Sequence, residues 1–192
     1  MKNSTLDKII EKFFTIEIEN KSINIYVKGE LFNLFNLGSF FCKCEEHQQV
    51  INIFKKALKI DKKNIDIMVT LSDAYAYLNN LKKSISFCKK ALKLDPSKRE
   101  LWELLGDTYD EAKEYKKAIK SYKKAIKLGL KTVHIWYKLG SSYEEKGDLD
   151  LSYRSYLRAL WLKPRDPIIL FTLRRINNKK IELLKRKRQK KW

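Results

Sequence analysis

Large apolar side chains return along this chain at a fixed step of 34 residues, most plainly from Trp102 to Trp136. The column Leu34, Met68, Trp102, Trp136 is followed three residues on by Leu37, Leu71, Leu105, Leu139. Four residues further come Phe41, Tyr75, Tyr109, Tyr143. Apolar positions at i, i+3 and i+7 form one stripe of an α-helix, so each block predicts a helix with a single buried face. A second stripe follows in every block: Val50, Ser84, Ala118, Ser152, then Phe54, Cys88, Tyr122, Tyr156, then Ala57, Ala91, Ala125, Ala159. Two helices per block are therefore expected. Small residues fall at Gly38, Ser72, Gly106, Gly140 and again in the alanine column, where a larger group would hold two close-packed helices apart. Blocks end at Lys62, Pro96, Leu130 and Pro164. Proline stops the second helix by removing a donor, and Gly129 beside Leu130 supplies a left-handed stop. The first block has neither device.

The phrases Trp102-Glu103-Leu104-Leu105-Gly106-Asp107-Thr108-Tyr109 and Trp136-Tyr137-Lys138-Leu139-Gly140-Ser141-Ser142-Tyr143 share one pattern, Trp-x-x-Leu-Gly-x-x-Tyr. At this period the pattern resembles the first helix of a tetratricopeptide (TPR) repeat. An ordinary helical bundle needs no constant step. The resemblance covers residues 31–166 and implies an all-α fold, an α-solenoid of TPR helix-turn-helix repeats. It also implies a right-handed superhelix whose concave groove is lined by first helices. The expected division is an N-terminal extension at 1–30, repeats at 31–64, 65–98, 99–132 and 133–166, a capping helix at 167–184 and a basic tail at 185–192.

The ends depart from the repeat. Leu6, Ile9, Ile10, Phe13 and Phe14 share one helical side, which predicts an amphipathic helix over 5–14 that caps the first repeat. Residues 15–30 alternate Ile16, Ile18, Ile23 and Ile25 with polar positions in short strand-like stretches. Both a degenerate repeat and an irregular extension fit that pattern. After Pro167, the apolar positions Ile168, Leu170, Leu173, Ile176 and Leu184 predict a final helix with a polar outer side, as an array end requires.

Composition narrows the function. The net charge is +19, and most of the basic residues are lysine. With abundant Asn and Ile, this looks like the output of an AT-rich genome or organelle, so codon bias accounts for part of the excess. The compact size and this composition also resemble plastid TPR proteins that assist photosystem I assembly. Three cysteines, Cys42, Cys44 and Cys88, in helical positions point to a reducing compartment and structural thiols. No leader-like apolar run opens the chain, and no run approaches the ~18 apolar residues of a membrane span. A soluble protein of the cytoplasm or an organelle stroma is expected.

No catalytic constellation is visible. His47 and His134 lack a fixed nucleophilic partner, and six glycines form no phosphate-cradling loop. The expectation is a non-enzyme with no cofactor and no metal.

In TPR proteins the groove is lined mainly by positions 2, 5, 9 and 12 of the first helix, roughly 130° around from the core stripe at about 100° per residue. The resemblance thus assigns Phe32 and Phe35 to the first repeat, with Ser39 and Cys42. It assigns Asp66, Val69 and Asp73 to the second, and Glu100, Glu103, Asp107 and Asp110 to the third. His134, Tyr137, Ser141 and Glu144 belong to the fourth. Such a groove is apolar at its entrance and acidic in its middle, suited to a basic or amphipathic protein segment. Second helices carry the opposite charge, with Lys116, Lys117, Lys120, Lys123, Lys124 and Lys127 in one of them. Chaperone-binding TPR domains grip a C-terminal carboxylate with lysine, arginine and asparagine. At the matching positions this chain has Val69, Asp73, Leu104, His134 and Lys138, or Phe35, Ser39, Thr70, Glu100 and Leu104. Only Lys138 has the required sign, which argues against a heat-shock-protein clamp.

The leading expectation is a protein-interaction scaffold, an adaptor or assembly factor. The alternative is an RNA- or ribosome-associated protein held by its convex face and by Lys185, Arg186, Lys187, Arg188, Lys190, Lys191 and Trp192. Clustered cations release phosphate counterions there, and an indole can stack on a base.

Overall fold

The computed structural model describes residues 14–19, 22–27, 30–32 and 47–189. The chain divides into two compact units, Met1–Leu94 and Asp95–Trp192.

The first unit opens on an antiparallel sheet of β1 (Phe14–Glu19), β2 (Ser22–Val27) and β3 (Glu30–Phe32), in that order. The register pairs Ile16 with Ile25 and Ile18 with Ile23. The alternation in residues 15–30 is thus strand, not degenerate repeat. β3 pairs Phe32 with Ile25, so Phe32 lies on a strand and not on the first helix of a repeat. Of the amphipathic helix expected over 5–14, Phe14 belongs to β1 and the rest lies outside the described residues, as do Phe35, Cys42 and Cys44. The unit continues with α1 (His47–Ile60), α2 (Ile65–Tyr77) and α3 (Leu81–Leu94).

The second unit holds α4 (Arg99–Glu111), α5 (Tyr115–Lys127), α6 (Val133–Lys146), α7 (Leu149–Leu162) and α8 (Pro167–Gln189). Helices α2, α4, α6 and α8 begin at Ile65, Arg99, Val133 and Pro167, and α1, α3, α5 and α7 at His47, Leu81, Tyr115 and Leu149. Each series advances by the step of the apolar columns.

The turns repeat as well. Asn79, Lys113 and Gly147 all take positive φ, at 55°, 57° and 91°. In each case the amide of the next residue, Asn80, Glu114 or Asp148, donates at 2.8 Å to the carbonyl of the tyrosine column, at Tyr75, Tyr109 or Tyr143. These are left-handed helix stops that satisfy orphan carbonyls. The starts are capped where the sequence allows. Asn64 and Thr132 accept from the amides of Ile67 and Ile135 at 3.0 and 3.3 Å. Asp166 accepts from Ile168 and Ile169 at 3.0 and 3.2 Å, with Pro167 as the first helical residue.

The columns form the core. Leu71, Leu105, Leu139, Ala57, Ala91, Ala125 and Ala159 are all buried. Ile169, Leu173 and Ile176 of α8 pack into the cluster of Leu149, Tyr156 and Ala159. α8 runs past the expected end of the capping helix, so residues 185–189 of the expected tail are helical; Glu182 and Arg186 pair one turn apart at 2.5 Å along it.

Candidate functional site

The first-helix surface of the second unit is built from α4, α6 and α8. Their core stripes are turned toward the second helices, which leaves Glu103, Asp107 and Asp110 of α4 on the opposite side, half-buried. Asp107 is the hub. Its Oδ1 accepts from the Tyr122 hydroxyl of α5 at 2.8 Å, and its Oδ2 takes Lys138 Nζ of α6 at 2.6 Å. Lys138 also lies 3.6 Å from Glu103, whose carboxylate meets His134 Nδ1 at 3.4 Å. Asp110 accepts a short hydrogen bond from Ser142. Glu100 is exposed and bonds Arg99 Nε at 2.9 Å, which holds its carboxyl below the ordinary range.

One helix further, Glu144 is buried. Both its oxygens accept from Arg175 of α8, at 2.5 and 2.7 Å, and Lys179 stands 3.7 Å away. This carboxylate is a strut between helices and not an open groove residue. Tyr137 is half-buried and stacks edge-on against Tyr156, with ring centroids 5.0 Å apart; Ser141 is half-buried beside it.

Burial, and then the Asp107 carboxylate, push the Tyr122 phenol far above its ordinary value. Burial and then Glu144 do the same to Tyr156. Both hydroxyls stay protonated throughout the physiological range.

In the first unit, Asp66 is exposed near the start of α2, and Val69 and Asp73 are half-buried along the same helix. Lys185, Arg186 and Arg188 are exposed on the last turns of α8, whereas Lys190, Lys191 and Trp192 lie outside the described residues. Lys138 and Arg175 were missed as groove members. Their partners sit 31 positions away in each case, so no local spacing marks them. Among the described residues no three His, Cys, Asp or Glu side chains converge as metal ligands, and no helix is long and apolar enough to cross a membrane.

Repeat step, left-handed turns and buried leucine and alanine columns define a helical-repeat scaffold. Family models of the tetratricopeptide repeat match residues 45–106 and 133–166, and a TPR repeat model matches 106–147. The chain belongs to the tetratricopeptide repeat family, and its fold is the α-solenoid of that family. No curated protein matches it by sequence. Among solved structures it is similar to MamA, at 25% identity over 81% of this chain and 97% of that one, with a TM-score of 0.64. It is also similar to MamA (41-end) from Desulfovibrio magneticus RS-1, at 18% identity over 77% and 83%, with a TM-score of 0.70. YrrB, a TPR protein with an unusual peptide-binding site, shares 25% identity over 62% of each chain, with a TM-score of 0.56. The family and these neighbours make the chain a protein-protein interaction scaffold in the general sense, and such scaffolds are generally non-enzymatic.

Proposed function

We propose that the chain is a non-enzymatic adaptor or assembly factor whose first-helix surface takes a lysine- or arginine-bearing segment of a partner protein. One observation carries this reading. α4 sets Glu100, Glu103, Asp107 and Asp110 along one face, while Lys138 is the permanent cation that α6 pairs against them. The face keeps a carboxylate surplus. Each exposed ion pair to a partner contributes only about 0.2–1 kcal/mol, so affinity must come from several together and from apolar contact with Tyr137. The peptide-binding site described for YrrB supports peptide recognition on this fold.

The test follows from the hydrogen bonds. Asp107 is unsuitable, since it anchors Tyr122 and Lys138. Glu103→Gln with Asp110→Asn removes two charges and keeps the acceptor oxygens. Binding of a fluorescein-labelled Lys/Leu peptide should weaken about tenfold in that variant, and Lys138→Gln should tighten it. An affinity that neither change moves would sink the reading.

A second reading, association with RNA or ribosomes, draws on the exposed Lys185, Arg186 and Arg188. It requires RNA binding that falls steeply with salt and disappears when the three are changed to glutamine.

A further inference from the structure

Consecutive second helices enclose a surface groove of one design, and each unit has one. In the first unit, Lys55 and Lys59 of α1 and Lys90 and Lys93 of α3 rim a floor of Leu58, Met68 and Leu94. In the second, Lys123 and Lys127 of α5 face Arg154 and Arg158 of α7 across Ile126 and Trp136. The two linings coincide in part at twice the repeat step, with Lys62, Lys93 and Arg154 outside the match. Lys55 corresponds to Lys123, Leu58 to Ile126, Lys59 to Lys127, Met68 to Trp136 and Lys90 to Arg158. What recurs at the last pair is the charge and not the residue type, which a codon-driven surplus of lysine does not explain.

No carboxylate lines either groove. Among the described residues Lys59, Lys93, Lys127 and Arg158 have no acidic partner within ion-pair distance. Cations gathered around an apolar floor repel one another and gain nothing from the fold. A ligand must therefore offer two things at once: apolar groups for the floor and negative charge for both rims. Phosphates alone leave the floor wet. Base stacking needs aromatic faces; Trp136 and Tyr143 line the second groove, but Leu58, Met68 and Leu94 of the first offer none, so a ligand common to both is held by apolar contact and charge.

We infer that these paired grooves are docking sites for acidic amphipathic segments of a partner protein. A helix with leucines at i, i+3 and i+7 lays that stripe on the floor and sets flanking glutamates against the lysines and arginines. The site is separate from the first-helix surface and takes ligands of opposite charge, so either can fail without the other.

The probe is a fluorescein-labelled helical peptide of about four turns, glutamate-rich with leucines at helical spacing, titrated against the full chain. Two copies should bind. Lys59→Glu with Lys93→Glu should leave one, Lys127→Glu with Arg158→Glu the other, and the four together none. All four side chains are exposed, and glutamine variants, with intermediate losses, back up any reversal that disturbs the circular dichroism. Replacing the peptide's leucines by serine should cost at least tenfold. Equal binding of the serine peptide, or displacement by a mixed-sequence RNA oligonucleotide, would make the grooves plain polyanion sites and overturn the inference. So would stoichiometry unmoved by the reversals, or lost on neutralising Lys185, Arg186 and Arg188.

Discussion

A β-carbon placed on Gly106 would stand 2.5 Å from Cε1 of Tyr122, inside any tolerable contact. Gly140 and Tyr156 repeat the relationship at 2.9 Å. One repeat earlier both partners change together. Ser72 replaces the glycine, Cys88 replaces the tyrosine, and Ser72 Oγ lies 2.9 Å from Cys88 Sγ while donating to the Ser84 carbonyl at 3.2 Å. The space between a first and second helix is filled once, from one side or the other.

That exchange is open to a double-mutant cycle. Cys88→Tyr alone drives a ring onto the Ser72 side chain and should cost about 1–3 kcal/mol by overpacking. Adding Ser72→Gly rebuilds the arrangement of the later repeats and should recover most of the loss. Urea denaturation of the four proteins gives the coupling energy. Additive effects would show that the two positions do not share one space.

The left-handed turn at Lys113 supports a prediction with a built-in control. Asn79 and Gly147, at equivalent positions, are residue types that tolerate positive φ, and Lys113 is not. Lys113→Gly should raise stability by about 0.5–1 kcal/mol. Lys116→Gly, exposed within α5, should lower it by about 1 kcal/mol. Thermal melts that move in the same direction for both would reject the strain at Lys113.

Tyr122 ties stability to alkaline pH. Its folded-state value is raised, by burial first and by Asp107 second, so the folded chain keeps a proton that the unfolded chain releases near pH 10. The contribution is complete below about pH 10 and is lost as pH climbs from there toward the folded-state value. The denaturation midpoint should fall above that pH, and the phenolate absorbance that belongs to Tyr122, read as the difference from Tyr122→Phe, should appear only as the chain unfolds. Tyr122→Phe should cost about 1–3 kcal/mol at neutral pH, for a hydrogen bond to a charged acceptor, and flatten the alkaline decline. A Tyr122 difference signal that ionises in the ordinary range with the fold intact would contradict this.

The helical repeat was legible because its causes are local and periodic: the stripe through Leu71, Leu105 and Leu139, the glycines that admit Tyr122 and Tyr156, the prolines that stop second helices. Charge on α4 was equally plain. What those charges touch was not. Asp107 reads as a groove carboxylate, yet whether it faces a partner or Lys138 depends on how far α6 is translated along α4, and no spacing encodes that. Phe32 misled for a related reason. It falls in repeat register, but pairing with Ile25 across a sheet outweighs the weak helical signal of a block that lacks a stop.

The pair of Glu144 and Arg175 shows which end of an ion pair bears the cost. Arg175 is half-exposed, with 48% of its side chain open to solvent, whereas Glu144 keeps only 8%. Removing the arginine strands a buried carboxylate with Lys179 at 3.7 Å as its remaining cation. Removing the glutamate's charge leaves a guanidinium that turns into water. Arg175→Ala should therefore destabilise the second unit by about 2 kcal/mol, below the 3–5 typical of a fully buried pair because water screens one side. Arg175→Lys should restore part of this and no bidentate contact. Glu144→Gln should cost under about 1 kcal/mol, since its amide still accepts one bond. Tryptophan fluorescence of Trp102, Trp136 and Trp161 reports unfolding of this unit. A larger loss from Glu144→Gln than from Arg175→Ala would mean that the guanidinium, and not the carboxylate, is the group the fold has desolvated.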